Sequence, residues 1–363
     1  MNAGFAARLG IDLDALAHNH AVLTRAAGAA EIAPVLKADG YGLGSGPVAR
    51  RLWAQGARRF FVARLAEGVA LRAELTPARP ATIYVLDGLT DGSGPRLAAA
   101  DLVPVLCSLP QVNAAAAFAR SGGPSRVGLH IDTGMCRQGL APEEAHALIQ
   151  AGDALDALDI ELLMSHLGSA ADGQSPRNAS QLARFSEVRG LFPKARASLA
   201  ASAGIYLGAD YHFDMVRPGI SLFGGGPLEH PHPDIHAVAA LSAPILDIRN
   251  LRPGDILGYG ESIMIETPTR VAIVAAGYAD GVIRAVKGRG YAWFAGARRR
   301  LIVANMDVLV VELGDTPAHI GQMVELLGSG ALLDDQAQAA GTVAHEVLVR
   351  LSRRAERIYL GEA

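Results

Sequence analysis

A chain of 363 residues, half of them hydrophobic and 19% charged, has the material for a large core. Its length suits two domains, or one large barrel with an appendage. The net charge of -3 leaves no electrostatic footprint for nucleic acid or an acidic membrane, and Cys107 and Cys136 make neither a disulfide framework nor a zinc pattern. No apolar run reaches the length of a membrane span and Met1 to Gly10 has no signal-peptide pattern, so a cytoplasmic, reducing setting is the expectation.

In chain order, Ile11-Asp12-Leu13-Asp14 reads as a helix start, with an acidic residue near the cap and apolar residues following at helical spacing. Short β-like runs then alternate with helical ones. The strand candidates are Ile32–Leu36, Phe60–Ala63, Thr82–Leu86, Leu102–Cys107, Val127–Ile131, Ile160–His166, Ala197–Ala201 and Phe213–Arg217. Between them lie Ala/Leu/Glu/Arg-rich segments such as Pro47–Ala54, Ala66–Glu74, Leu109–Ala119, Pro142–Ala151 and Asn178–Leu191. Eight strands separated by helices predict an N-terminal (β/α)8 TIM-type barrel over residues 1–234.

The turn-rich run Gly224-Gly225-Gly226-Pro227, followed by Glu229-His230-Pro231-His232-Pro233-Asp234, marks the boundary. Its histidines sit between prolines that enforce an extended backbone, which favours a solvated linker over a metal site. Beyond it helical segments nearly vanish. Ala239–Ile248, Ile263–Glu266, Arg270–Ala276, Tyr291–Phe294, Leu301–Val303, Val308–Leu313 and Met323–Leu327 read as strands of a mostly β domain over residues 235–363. Arg298-Arg299-Arg300 reads as a solvated turn.

The chemistry of a barrel sits at the carboxyl ends of its strands, and polar residues gather there. Lys37 ends the first strand, His130 to Arg137 follow the fifth, Ser165-His166 the sixth, Ser202 the seventh and Arg217-Pro218-Gly219-Ile220 the eighth. A lysine at the end of a buried strand loses its proton more easily and can form a Schiff base. The turn after it, Ala38-Asp39-Gly40-Tyr41-Gly42-Leu43-Gly44, lets backbone and a phenol approach a small anion. Together they suggest a carbonyl cofactor carrying a phosphate. The plainer alternative is a lysine that points into solvent at a common strand-to-helix turn.

Over nearly its whole length the chain resembles the bacterial alanine racemases, pyridoxal-phosphate enzymes with a barrel joined to a β domain. The markers are the Lys37 stretch, Asp132-Thr133-Gly134-Met135 with Arg137, Ser165-His166, Val216-Arg217-Pro218-Gly219-Ile220, Gly258-Tyr259-Gly260, Gly277-Tyr278-Ala279-Asp280-Gly281 and Met306-Asp307. The resemblance implies pyridoxal 5'-phosphate held by Lys37 as a Schiff base, with Lys37 the base on one face of the substrate α-carbon and Tyr259 the base on the other. It places His166 and Arg217 near Tyr259 and the cofactor ring, with Arg217 at the ring nitrogen. Tyr41, Ser202 and the N–H groups of Gly219 and Ile220 would hold the phosphate. Arg137 and the backbone at Met306 would contact the substrate carboxylate, with Tyr278 at the mouth. No metal is implied. By themselves, Tyr259 reads as a turn tyrosine and Ser202 as a helix cap.

In the family the β-domain residues come from the other subunit, which implies a homodimer with shared active sites. The implied activity interconverts L-alanine and D-alanine and supplies D-alanine for peptidoglycan. A broader amino-acid or serine racemase and a non-catalytic pyridoxal-phosphate carrier are the alternatives. Related decarboxylases put a carboxylate at the ring nitrogen, and Arg217 argues against them. Two departures stand out. His130 occupies the place of a lysine that many members carbamylate to orient the arginine, and Arg353 stands where some members have a tyrosine beside the phosphate. Arg353 leaves strict alanine specificity open. A histidine cannot form the carbamate, so Arg137 must be oriented by another group, such as a bound anion. Activity at fixed pH is therefore expected to be independent of dissolved carbon dioxide; a strong dependence overturns this.

Overall fold

The computed structural model describes residues 6–259 and 263–361, so Gly260 of the Gly258-Tyr259-Gly260 motif lies outside the described residues. The chain divides into two compact units, one from Asn19 to Leu222 and one joining the residues up to His18 with those from Phe223 onward. The N-terminus contributes β1 (Arg8–Asp12), whose Leu9 and Ile11 are fully buried. Five residues with charged ends gave too little alternation to be read as a strand. The helix start is as expected: Asp12 Oδ1 accepts the N–H groups of Asp14 and Ala15 at 2.9 and 2.8 Å, and the helix Leu13–Ala27 follows.

The first unit is the eight-stranded barrel. Its strands are β2 (Glu31–Ile32), β3 (Arg59–Val62), β4 (Thr82–Val85), β5 (Leu102–Leu106), β6 (Arg126–His130), β7 (Asp159–Met164), β8 (Arg196–Ser198) and β9 (Met215–Val216). β3 to β8 form a parallel sheet in chain order and β2 pairs in parallel with β9. Single bridges between Val35 and Phe61 and between Ala201 and Arg217 join the pair to either end of the sheet, which closes the ring. Strands covered on both faces need continuous apolar sequence, and Leu102–Leu106 is buried at every position. On the outside, Leu106, Leu129, Leu163 and Ala197 pack with Phe185, Val188 and Phe192 of the helical layer.

Charges at the amino ends of the strands serve the fold. Arg59 Nη1 donates to both oxygens of Glu31 at 2.9 and 2.7 Å, and Arg196 Nη2 adds a third bond at 2.7 Å. Arg126 Nε reaches Glu161 at 2.9 Å. Glu31 thus ties the first, second and seventh barrel strands together across the point where the ring closes.

The second unit is mostly β. It contains β10 (Ala239–Leu251), β11 (Thr269–Val274), β12 (Tyr291–Phe294), β13 (Ala297–Ala304), β14 (Leu309–Glu312), β15 (Met323–Leu327) and β16 (Glu356–Leu360). The order is β11-β14-β13-β12-β15-β10-β1-β16, and β10 also pairs with β11. The 13-residue β10 can serve both neighbours because a register shift between Ile245 and Asp247 bends it. Val271, Ile302, Val303 and Val310 form one buried cluster here.

Three expectations need correction. Ile263–Glu266 forms no strand, only a single bridge between Ile256 and Met264. Arg298 to Arg300 lie on β13 and not on a turn: Arg298 pairs with Asp335 at 2.9 Å and covers the Tyr291 ring, and Arg300 pairs with Glu312 at 2.9 Å. Two helices, Leu333–Ala340 and Ala344–Arg350, interrupt the β pattern; at eight and seven residues they are too short to establish a helical period in sequence. Among the described residues no helix is long and apolar enough to cross a membrane, and no group of three or more His, Cys, Asp or Glu side chains could hold a metal. Glu31→Gln, which unpairs two partly buried guanidinium groups, is expected to cost ~2 kcal/mol of unfolding free energy. Chemical denaturation measures it, and an unchanged midpoint denies the seam its role.

Candidate active site

Every barrel residue singled out in the sequence stands at a carboxyl strand end. Leu36 is fully buried and its N–H donates to Phe61 O at 2.7 Å, which holds the chain in the barrel wall up to Lys37. Lys37 is exposed, yet its surroundings desolvate it in part. Burial lowers its pKa, the Arg137 charge lowers it further, and Glu67 works in the opposite direction.

After Lys37 the backbone turns left-handed. Ala38, Asp39 and Tyr41 have φ 55° and Gly40 φ 62°, at about 1–2 kcal/mol for each residue with a side chain. Asp39 Oδ1 offsets part of this by accepting the N–H and hydroxyl of Ser45 at 2.8 and 3.1 Å. The turn brings Tyr41 inward, 4% exposed, and burial keeps its phenol protonated by pushing its pKa up.

The Tyr41 hydroxyl lies against Gly219 so closely that a Cβ there would come within 2.0 Å of it. Ser202 Oγ accepts the N–H groups of Gly219 at 3.0 Å and Ser221 at 3.3 Å. Ser202 precedes a short 3-10 helix but its side chain makes no cap bond, unlike the helix-cap alternative. Ser221 Oγ is fully buried and has no partner. A phenol, two hydroxyls and a glycine that admits no side chain form a cup that fits a phosphate group.

Arg217 is 3% exposed. Its Nη1 donates to Ser198 Oγ at 2.6 Å and its Nη2 to Ser165 O at 2.5 Å and Leu199 O at 3.4 Å, none of them a carboxylate. Burial lowers its pKa to about 9, which leaves it charged near neutrality. His166 is driven down to about 3 by burial and then by the charges of Arg217, Arg137, His130 and Lys37. His130, the last residue of β6, falls to about 4 by burial and by Arg217 and Arg137, against Asp132. Both imidazoles are therefore neutral, and Arg217 alone of the pair His166 and Arg217 carries positive charge. Beside His130, the Cys107 thiol lies 4.0 Å from Nδ1, and burial raises its pKa to about 11.

Arg137 follows a tight turn. Asp132 Oδ1 accepts the N–H groups of Gly134, Met135 and Cys136 at 2.9, 2.8 and 3.1 Å. Burial opposes ionisation of Asp132, and these backbone bonds outweigh it and lower the pKa. The Arg137 guanidinium is exposed, with no carboxylate partner among the described residues.

In the other unit Tyr278 and Met306 come together. Tyr278 N–H donates to Asn305 O and Ala279 N–H to Met306 O, both at 3.0 Å, and Gly277 has no space for a Cβ beside Met306 O. Arg354 clamps the two loops: it grips buried Asp280 with two nitrogens at 2.7 and 2.6 Å and Asp307 with a third at 2.5 Å. Tyr259 stands on a different loop with 85% of its surface exposed, and Arg353 is also exposed.

Sequence reasoning missed Glu67, Ser198 and Gln181. Gln181 is 1% exposed and binds His166 O at 2.9 Å, Thr133 Oγ1 at 3.3 Å and Gly168 N–H at 2.8 Å. Its signal was available: Asn178, Gln181, Phe185 and Val188 share one buried helix face, and polar members of such a face demand partners. Glu67 gave little warning, because Arg64 precedes its helix in place of a good cap residue.

A readily deprotonated amine at the rim of a (β/α)8 barrel, in one unit with a cup for a phosphate, defines a pyridoxal-phosphate enzyme of the barrel type. The chain belongs to the alanine racemase family: residues 11–227 match the family's N-terminal domain and residues 238–359 its C-terminal domain. It is thus a pyridoxal-phosphate-dependent isomerase acting on amino acids. It is 42% identical over 359 residues to an alanine racemase of a Methylobacterium species, covering 98% of each chain. It is 39% identical over 362 residues to a catabolic alanine racemase of Agrobacterium fabrum, covering 98% of this chain and 93% of that one. The crystal structure of the Bartonella henselae alanine racemase, with covalently bound pyridoxal phosphate, superposes with TM-score 0.92 at 31% identity over 98% of this chain and 99% of that one.

The two neutral histidines fix a pH dependence. Their pKa values lie below the ordinary 6.5, so on acidification the unfolded chain takes up protons that the folded chain refuses. The stability they contribute is complete above 6.5 and drains away as pH falls toward about 4 and about 3. Urea midpoints are expected to fall from about pH 7 to about pH 5, and less steeply in His130→Asn. An identical slope in the variant would mean that His130 takes its proton in the folded chain.

Proposed function

We propose that the chain interconverts L-alanine and D-alanine with two bases, Lys37 on one face of the substrate α-carbon and Tyr259 on the other. The observation that carries this reading is the lysine whose proton is easily lost, in the same unit as the cup of Tyr41, Ser202 and Gly219 and the buried Arg217. When bound through Lys37, pyridoxal phosphate supplies the electron withdrawal that acidifies the α-proton.

Arg217 would lie against the ring nitrogen of the bound cofactor, and because guanidinium cannot accept a proton it would leave that nitrogen unprotonated and the electron sink weak. A weak sink favours simple return of the proton over transamination. Lys37 would take or return the proton at the substrate α-carbon on its own face. A single base tends to give the proton back where it came from, so inversion needs the second group. Tyr259 fills that role from the partner copy of the chain; its exposure, with that of Tyr278 and Met306, suits residues that serve another subunit. Of Arg217 and His166, only Arg217 carries a positive charge. Arg137 and the Met306 backbone receive the substrate carboxylate, and Tyr278 closes the mouth.

The product serves peptidoglycan as D-alanine in the cytoplasm. The catabolic name of the Agrobacterium relative supports a second, catabolic role. Arg353, exposed in the place of a tyrosine, leaves open whether the pocket also admits serine or larger amino acids. A racemisation panel over alanine, serine and larger amino acids measures that breadth. Tyr259→Phe is expected to slow α-proton exchange with deuterium for one alanine enantiomer by about 10²–10⁴-fold and to spare the other. Exchange of both enantiomers at the wild-type rate rules out the two-base assignment.

A further inference from the structure

The strained turn after Lys37 is tied down by a carboxylate on the neighbouring barrel segment. Glu67 Oε1 accepts the Ala38 N–H at 2.7 Å, while Oε2 accepts the N–H groups of Ala63 at 2.8 Å and Arg64 at 3.0 Å. Ala63 follows β3 directly and Ala38 follows Lys37, so one side chain spans the loops after the first two barrel strands. Bonds from N–H groups to a carboxylate are charge-assisted and directional. Left-handed residues lacking such a tie have an easier alternative in ordinary backbone conformations, and the lysine would swing with them.

We infer that Glu67 is a positioning residue for Lys37: it fixes the peptide that immediately follows the lysine and places a negative charge opposite the amine. Two charged groups act on that amine, and a third titratable group, His166, lies in the same site. The Arg137 charge eases loss of its proton, Glu67 resists it, and His166 is neutral. Glu67 thus limits how far burial and Arg137 weaken the ammonium, while aiming the nitrogen.

The inference rests on Lys37 being the amine that takes the cofactor, and the test separates the two ideas. The full chain is stripped of cofactor, and the rate at which added pyridoxal phosphate forms its imine absorbance band is followed against pH. Glu67→Gln has no charge and cannot accept on both arms. It is expected to slow the high-pH plateau about tenfold and to move the pH limb to lower values, since removing a negative neighbour makes an ammonium easier to deprotonate. Glu67→Asp keeps the charge but is one methylene too short, and is expected to slow the plateau with the limb in place. Lys37→Ala is expected to form no band.

A Glu67→Gln enzyme with the wild-type plateau and limb overturns the positioning role and leaves the lysine reading standing. So does one that only melts earlier, which would make Glu67 a helix cap and nothing more. If Glu67→Gln does not fold, a wild-type plateau in Glu67→Asp decides against the role. A band that persists in Lys37→Ala overturns both ideas.

Discussion

Crowding of positive charge at the carboxyl end of the barrel is the constraint that the rest of the site obeys. Lys37, Arg137, Arg217, His130 and His166 act on one another, and the opposing carboxylates Glu67 and Asp132 are engaged with backbone N–H groups. So many cations cannot all stay ionised in a partly desolvated space, and they yield in order of intrinsic basicity. The guanidinium groups keep their charge, the imidazoles give theirs up, and the lysine is pushed part of the way. This partition produces the chemistry a Schiff-base site needs: a reactive amine, a permanently charged group that accepts no proton, and neutral side chains around them.

The barrel makes that arrangement possible by separating its two ends. At the amino ends charges are paired: Glu31 with Arg59 and Arg196, Glu161 with Arg126. There an unpaired charge would only weaken the seam where the ring closes. At the carboxyl ends Arg217 is held by a hydroxyl and carbonyl oxygens, so its hydrogen bonds are satisfied and its charge is not cancelled. Dipolar partners orient a cation and leave its field available to a ligand. Ser198, Ser165 O and Leu199 O thus hold Arg217 without an acid, and the fold accommodates this at the cost of a lowered pKa.

What the sequence made legible follows from how far each signal reaches along the chain. The eight barrel strands were found within a few residues because alternation of apolar runs with helices is a pattern of many elements. Lys37, His166, Ser202 and Arg217 stood out because polar residues at strand ends violate the expectation for buried sequence. Short elements and pairings between distant segments were not legible. β1 gains its meaning only from partners near residues 240 and 358, and the two late helices are only about two turns long. Glu67 reaches Ala38, a loop residue remote in sequence, and that contact leaves no local trace, whereas Gln181 shows itself as a polar member of a buried helix face. The protonation states were also hidden, since they depend on five side chains brought together from the ends of four strands.

Cationic sites of this kind couple ligand binding to the integrity of the fold. A phosphate at the Tyr41, Ser202 and Gly219 cup and a carboxylate near Arg137 both bring negative charge to a region with a surplus of positive charge. Each therefore relieves repulsion that the polypeptide alone must bear, and a ligand that binds only the folded chain raises its stability by mass action. The same relief acts on Lys37 in the opposite sense, because a nearby anion restores some of its basicity. A phosphate within the cup would thus help set how easily the lysine gives up its proton. The left-handed turn that carries both Lys37 and Tyr41 links the two effects mechanically: the lysine and a residue that frames the cup are four positions apart on one constrained piece of backbone.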